Sequence, residues 1–91
     1  MTARVLVLDP LDNVAVALTD LAAGALVDAG ERQVRAIEAI PQGHKIALVN
    51  LTQDASVLKY GSEIGVATRP IAQGSHVHVH NVESVRMRGD L

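Results

Sequence analysis

The sequence repeats one short pattern, and this repetition constrains the fold more than any other feature. Residues 40–48 read IPQGHKIAL and residues 71–79 read IAQGSHVHV, while residues 21–24 (LAAG) are a weaker third copy. Each full copy has an isoleucine, a Gln-Gly pair and then a run that begins polar and becomes apolar. The glycine permits the positive φ of a tight turn, and the run after it has the length of a strand. The pattern predicts a mainly β domain built from similar corners, too short and irregular for a solenoid.

The N-terminal part of the sequence is typical of a β-hairpin. Residues 4–8 and 14–18 are apolar runs of strand length, and turn formers lie between them. Asp9, Asp12 and Asn13 carry oxygen donors of the kind that a calcium loop uses, but their spacing and the glycine placement do not match an EF-hand. We therefore interpret them as turn formers.

Residues 31–40 are ambiguous between a helix and a strand. Their apolar positions fit a helical face loosely, and a strand fits them as well. We favour the strand because Pro41 and Gly43 close the segment and its neighbours are strands. A turn at residues 28–30 (DAG) should precede it.

Length and the remaining chain breakers indicate one domain. The 91 residues suit a single domain over residues 1–91. Gly61 and Gly65 should divide residues 57–68 into two short strands, and the polar residues 86–91 should form a frayed tail. The sequence has no Phe or Trp and one Tyr, so the core must consist of Val, Leu, Ile and Ala.

Composition excludes several classes of protein. A net charge of −2 argues against nucleic acid or an anionic membrane as a partner. The sequence has no cysteine, so neither a disulfide framework nor a thiolate metal site is expected. The apolar N-terminal run stops at Asp9-Pro10, too early for a signal sequence or a membrane span. We expect a cytoplasmic protein.

Three of the four histidines lie at alternate positions, His76, His78 and His80, with valines between them. Alternation is the period of a strand, so the three imidazoles should share one face of it. Successive histidines would stand about 6.6 Å apart, which lets two of them share a metal ion, while the outer pair can share one only if the strand bends. A third ligand would come from elsewhere, with His44, Glu63 or a partner-chain carboxylate as options. Metal ligation, acid–base contact without a metal and a solvated face all remain open.

Four phrases of the sequence together resemble a known family. They are Asp12 to Ala17 (DNVAVA), Gly43 to Leu48 (GHKIAL), residues 59–68 (KYGSEIGVAT) and residues 74–82 (GSHVHVHNV). In order and spacing they are similar to the SAF domain of the altronate/galactarate dehydratases, over about residues 10–83. The small subunits of sulfolactate sulfo-lyases are similar too.

The resemblance implies a β-clip fold and a cytoplasmic, metal-dependent lyase that acts on sugar acids or related hydroxy acids. It implies Fe²⁺ or Mn²⁺, with Zn²⁺ as a further option, and a larger catalytic subunit that completes the site. On this basis we expect the small subunit of a dehydratase. The alternatives are a non-catalytic β-clip module that binds a ligand or metal, and a chain that forms homo-oligomers.

The chemistry of such a lyase suggests roles for His44 and Lys45. Dehydration removes a weakly acidic proton beside a carboxylate and expels a β-hydroxyl, so the site needs a cation and a proton donor. His44 and Lys45 hold the place in one corner that Ser75 and His76 hold in the other. If the corners face each other, Lys45 would neutralise a substrate carboxylate. Otherwise both are surface residues.

The candidate residues fall into three groups. The expected catalytic residues are His44, Lys45, Tyr60 and His76; the expected substrate-binding residues are Lys45, Lys59 and Asn81; the expected metal ligands are His76, His78 and His80. Lys59 and Tyr60 point to opposite faces of a strand, so one of the two at most lies in the site. Tyr60 is alternatively a core residue, and Asn81 alternatively orients a histidine or caps the strand.

Overall fold

Nine short β-strands make up the part of the chain that the structure describes. In the computed structural model this part is residues 3–7 and 9–84, so the predicted tail at 86–91 lies outside it. The strands are β1 (Ala3–Leu6), β2 (Val14–Ala17), β3 (Leu26–Ala29), β4 (Arg32–Arg35), β5 (Lys45–Ala47), β6 (Ser56–Lys59), β7 (Ser62–Ala67), β8 (His76–Val77) and β9 (Val82–Ser84). Within these ranges no helix is long and apolar enough to cross a membrane.

The strands form two sheets. One has six strands in the order β4-β3-β1-β2-β5-β8, and the other has three in the order β6-β7-β9. The predicted hairpin of β1 and β2 is confirmed, with Val5 opposite Ala17. The strand interpretation of residues 31–40 is confirmed for residues 32–35, since β4 pairs with β3 along its whole length, while residues 36–39 form no strand and Ile40 makes an isolated bridge. The curled, all-strand arrangement confirms the prediction of a small, mainly β domain of the β-clip type.

The predicted corners exist, and the structure adds a fourth. Leu21 pairs with Ile40, and Leu51 pairs with Ile71, each through an isolated antiparallel bridge. The residue three positions after each of these four bridged residues has a positive φ. They are Gly24 (φ 87), Gly43 (φ 85), Asp54 (φ 71) and Gly74 (φ 88). The sequence pattern missed the corner at residues 51–54 because an aspartate takes the place of the glycine there.

The four corners belong to two copies of one backbone path. The N–H of Gly43 donates to the carbonyl of Ala17, and the N–H of Gly74 donates to that of Ala47, both at 2.9 Å. A side chain repeats as well as the backbone. Asp20 Oδ1 accepts from the N–H of Gln42, and Asn50 Oδ1 accepts from that of Gln73, both at 2.8 Å.

The bridged pair of each copy packs into a different part of the hydrophobic core. The bridged pair of Leu21 and Ile40 belongs to one cluster of buried apolar side chains, and the pair of Leu51 and Ile71 belongs to a second. Ile46, fully buried, lies in the first cluster, while its strand neighbour Ala47 lies in the second. Strand β5 therefore has one cluster on each side, as the alternation of side chains along a strand requires. The core consists of Val, Leu, Ile and Ala, as predicted.

Two details of the predicted turns are wrong. Asp28 and Ala29 lie in β3, and the turn that ends this strand is at Gly30, where φ is 79°. Gly65 does not break a strand but lies inside β7, buried against β9. A Cβ at this position would collide with the carbonyl oxygen of Glu83, so glycine permits the close approach of β9.

Candidate metal centre

Strands β5 and β8 bring two corners together. They pair antiparallel with Lys45 opposite Val77 and Ile46 opposite His76. Continuing this register by one residue sets His44 opposite His78. The two corners therefore face each other, which is the condition on which the predicted roles of His44 and Lys45 depend.

The predicted strand over the histidines is too long. Strand β8 ends at Val77, and residues 78–81 turn before β9 begins. The Asn81 side chain makes this turn, because its Oδ1 accepts from the N–H of His78 at 3.0 Å and its Nδ2 donates to the carbonyl of His76 at 2.9 Å. Asn81 is buried, and its carboxamide makes hydrogen bonds within its own loop. This placement argues against the direct substrate contact that the sequence predicted for Asn81.

Three imidazoles meet where the turn folds back. His44 Nδ1 lies 2.8 Å from His76 Nε2. The rings of His44 and His78 stack with centroids 3.8 Å apart, and those of His44 and His76 with centroids 5.0 Å apart. One ligand atom from each of the three lies within 4.8 Å of the others. We refer to His44, His76 and His78 as the histidine cluster.

His80 lies outside the histidine cluster. Its ring is tilted by 38° against that of His76, with centroids 5.0 Å apart, and its side chain is exposed. The turn at 78–81 is the physical reason, because it ends the alternation that would have kept His80 on the same face. The group that could hold a metal ion therefore contains His44, His76 and His78, whereas the sequence predicted His76, His78 and His80 as ligands.

Burial favours the neutral form of the His76 and His78 imidazoles. Burial is the main factor that lowers the pKa of both rings below 6.5, and the charges of neighbouring groups lower it further. For His76 the carboxylate of Glu38 opposes the effect, and the same carboxylate accepts the backbone N–H of His76 at 3.1 Å. His78 Nδ1 is buried without a hydrogen-bond partner among the described residues. Neutral rings have free lone pairs, which is the form that ligates metals.

A groove opens beside the histidine cluster. It has a volume of about 560 Å³ and is lined by Lys45, Ile64, Thr68, His78, Val79, Val82, Glu83 and Ser84. Burial lowers the pKa of Lys45, and the charge of Lys59 lowers it further. Lys45 and Lys59 are therefore near enough to repel each other. Among the residues that line the groove, Lys45 carries a positive charge and Glu83 a negative one.

Tyr60 lies at the tip of the hairpin between β6 and β7. Its φ is 56°, followed by 76° at Gly61, the two positive values that a type I′ turn requires. The side chain is exposed, and the Nζ of Lys59 lies 5.0 Å from its ring centroid. Among the described ring contacts, none joins Tyr60 to the histidines. The structure therefore does not bring Tyr60 into the cluster.

Two further residues complete the comparison with the sequence. Glu63, an optional ligand, accepts a hydrogen bond from the Ser56 hydroxyl on the neighbouring strand. It is not part of the histidine cluster. Glu38, which touches the cluster, was missed, because it is separated from His76 in sequence and no motif surrounds it. Only the register of the fold brings the two together.

The donor set of the histidine cluster fits a divalent transition metal. Imidazole nitrogens suit Zn²⁺, Fe²⁺ and related ions, and three protein ligands leave positions for water or substrate. The buried, unpartnered Nδ1 of His78 is a polar atom that such an ion would satisfy. Three histidines that can form a metal site, next to a lysine, define the class: a small β domain with a candidate metal centre at its surface.

Comparison with known proteins gives the family. The family model of the altronate/galactarate dehydratase SAF domain matches residues 3–85. The chain belongs to this family, which confirms the resemblance seen in the sequence.

The relatives that match are dehydratases and sulfo-lyase subunits, and the dehydratases are much longer than this chain. Altronate dehydratase of Escherichia coli K12 is 47% identical over 74 residues, which are 81% of this chain and 15% of that protein. Galactarate dehydratase (L-threo-forming) of the same organism is 41% identical over 68 residues, 72% of this chain and 12% of that protein. Subunit alpha of (2R)-sulfolactate sulfo-lyase from Chromohalobacter salexigens is 51% identical over 49 residues, 54% of this chain and 52% of that subunit. The chain thus spans a small part of the dehydratases and about half of the sulfo-lyase subunit.

Proposed function

We propose that this chain is the small subunit of a metal-dependent hydro-lyase that acts on sugar acids or related hydroxy acids. The observation that carries the proposal is the convergence of His44, His76 and His78 in one cluster, of which His78 lines a groove together with Lys45. Membership of a dehydratase SAF family supports the reaction class. We place the protein in the cytoplasm, in agreement with that class.

The histidine cluster would hold the metal in this proposal. A bound divalent ion supplies Lewis-acid chemistry, which stabilises negative charge on a substrate oxygen. We expect Fe²⁺ or Mn²⁺, with Zn²⁺ as the alternative, because imidazole accepts all three. The lowered pKa of His76 and His78 keeps their lone pairs available at neutral pH.

The two lysines would bind and orient the substrate. Lys45, at the groove beside His78, would neutralise the carboxylate of the hydroxy acid, and Lys59 would add to the positive potential that attracts it. Because Lys45 is half-buried, its charge acts in a less polar medium than water and its attraction is correspondingly stronger. His80, an exposed ring whose centroid lies 5.0 Å from that of His76, would exchange a proton with the leaving hydroxyl.

A larger catalytic chain would complete the site. The groove is open, and Val79 beside it is 82% exposed, so a second polypeptide has an apolar surface to cover. The dehydratase relatives extend far beyond the matched segment, and the sulfo-lyase relatives are named as subunits. We therefore expect negligible dehydration by this chain alone.

Reconstitution tests the proposal. The chain is mixed with the remainder of the Escherichia coli altronate dehydratase, expressed without the segment that matches this chain, and supplied with Fe²⁺, Mn²⁺ or Zn²⁺. Loss of water from altronate or galactarate is followed by mass spectrometry. We expect turnover only from the mixture, and turnover that His78→Ala abolishes. Turnover by the isolated chain would contradict the two-component reaction.

A non-catalytic module is the second candidate function. It is favoured by the small share of the dehydratases that the chain spans, because a segment of that size can also serve as a docking or metal-binding unit. The same mixture separates the two. A mixture that binds metal and forms a complex, but gains no turnover over the remainder alone, would support the module.

A further inference from the structure

Two carboxylates converge on Gly61, away from the residues of the histidine cluster. Asp12 Oδ1 accepts the backbone N–H of Gly61 at 2.8 Å. Asp9 approaches the same residue, since its Oδ2 lies 2.6 Å from the place that a Cβ on Gly61 would occupy. Two carboxylates that approach the same residue repel each other, and a cation between them would remove the repulsion.

Asp12 is buried with half of its carboxylate unsatisfied. The residue is 5% exposed, and among the described residues its Oδ2 has no hydrogen-bond partner. A buried carboxylate oxygen without a partner is costly, and native structures commonly satisfy such an atom with an ion or a water molecule. The second carboxylate oxygen therefore points to a ligand.

A cavity lies beside Asp9 and Asp12. It has a volume of about 290 Å³, and its polar lining consists of Asp9, Asp12, Glu31 and Arg32. Glu31 and Arg32 come from the turn and strand that follow Gly30, so the β3–β4 hairpin and the loop at residues 9–13 meet there. Three carboxylates face one guanidinium, which leaves the cavity negatively charged. Its volume holds several water molecules at about 30 Å³ each.

We propose that this cavity binds a hard divalent cation, Ca²⁺ or Mg²⁺, through Asp9 and the free Oδ2 of Asp12. Both ions prefer carboxylate, carbonyl and water oxygens, whereas the histidine cluster offers nitrogen. Glu31, an exposed side chain on the turn after Gly30, lines the same cavity and would add negative charge near the ion. Such an ion would fasten the loop at residues 9–13 to the β6–β7 hairpin.

Calcium titration of the full chain, stripped of metals with a chelator, tests the proposal. With CaCl₂ as the probe, we expect calorimetric binding with a Kd of about 10⁻⁴–10⁻³ M, as in sites with few charged ligands, and a rise in Tm. Asp12→Asn keeps an oxygen that accepts from Gly61, so it should fold, and it should bind Ca²⁺ at least about tenfold more weakly because a charged ligand is lost. Glu31→Gln, an exposed change, should weaken binding less.

The chain offers a matched control. Asp20→Asn removes one carboxylate charge at a corner away from the cavity. In the other copy Asn50 accepts the equivalent hydrogen bond, so the variant should bind Ca²⁺ with the affinity of the parent. His78→Ala should also retain Ca²⁺ binding, which separates this site from the histidine cluster. No heat and no rise in Tm up to about 10 mM Ca²⁺ or Mg²⁺, ten times the weakest expected Kd, would overturn the proposal. Binding that Asp12→Asn leaves unchanged would overturn it as well.

Discussion

His44 and His78 lie ring on ring, with centroids 3.8 Å apart and planes inclined by 14°. They come from different copies of the repeated corner, and the pairing of β5 with β8 sets them opposite each other. The candidate metal centre is therefore formed by contact between the two halves of the domain. Neither half holds the three imidazoles by itself.

Removing either stacked ring should abolish tight metal binding. We expect His44→Ala and His78→Ala to weaken Zn²⁺ binding by at least about 100-fold, more than the loss of an outer-shell partner produces, because each removes one of three ligands. His80→Ala is the control, since this ring lies outside the cluster, and its affinity should stay within about twofold of the parent. Competition calorimetry measures all three. An affinity in His80→Ala as low as that of His44→Ala would restore the ligand set expected from the sequence.

Acid should destabilise the metal-free chain. The pKa of His76 and of His78 is lowered by burial and then by neighbouring charges, with His44, His80 and Lys45 among them and Glu38 opposing at His76. A lowered pKa means that the unfolded chain binds protons more readily than the folded one. The contribution of these two groups to the free energy of unfolding is therefore complete above about pH 6.5, and the free energy falls as the pH drops below that value. Urea unfolding between about pH 5 and 8, the range over which histidine changes charge, measures the effect.

The same experiment has an internal control. The variant His76→Gln, His78→Gln lacks both groups with lowered pKa, so its unfolding free energy should change less between these pH values. A parent and a variant with the same slope would show that other groups carry the acid sensitivity. Added Zn²⁺ should steepen the dependence in the parent, because protons compete with the metal for the same nitrogens.

Lys45 should matter for substrate binding in the reconstituted lyase. Lys45→Met keeps most of the apolar stem and removes the charge that faces the groove. We expect at least a tenfold fall in kcat/KM for the hydroxy acid, roughly the effect of losing 1.4 kcal/mol of electrostatic attraction. Lys59→Met, which removes the more distant charge, should have a smaller effect. A Lys45→Met enzyme with unchanged kcat/KM would exclude the carboxylate contact.

Asn81 should stabilise the turn that shapes the centre. Asn81→Ala removes two hydrogen bonds to buried backbone groups of His76 and His78, and each group left unpaired costs about 1–3 kcal/mol. Asn81→Asp retains an acceptor for the His78 N–H and should lose less. Denaturant unfolding gives both values, and Zn²⁺ affinity should fall in parallel with them. A stable Asn81→Ala protein with weak Zn²⁺ binding would indicate a role for Asn81 at the site itself.

The sequence predicts the strands and misses the end of one of them. Alternation of His and Val from His76 onward is typical of a strand, and the first two residues obey it. The strand stops at Val77 because the Asn81 side chain hydrogen-bonds to the backbone of His76 and His78. A hydrogen bond from a side chain to nearby backbone competes with the strand, and the alternation of His and Val gives no sign of it. His44 enters the cluster for a related reason, since the register between β5 and β8 decides its neighbour.

The missed corner at residues 51–54 gives the last prediction. Asp54 adopts a φ of 71°, where its three counterparts are glycines. A residue with a Cβ is strained there by about 1–2 kcal/mol, while glycine has a larger entropy to lose on folding, about 0.5–1 kcal/mol. Asp54→Gly should therefore raise the free energy of unfolding by about 0.5–1 kcal/mol. Gly24→Ala is the matched reverse change, because a Cβ there meets nothing within 4 Å and only strain opposes it. Gly24→Ala should lower the free energy of unfolding by about 1 kcal/mol or more. An unchanged free energy of unfolding would show that the four corners do not all require a positive φ.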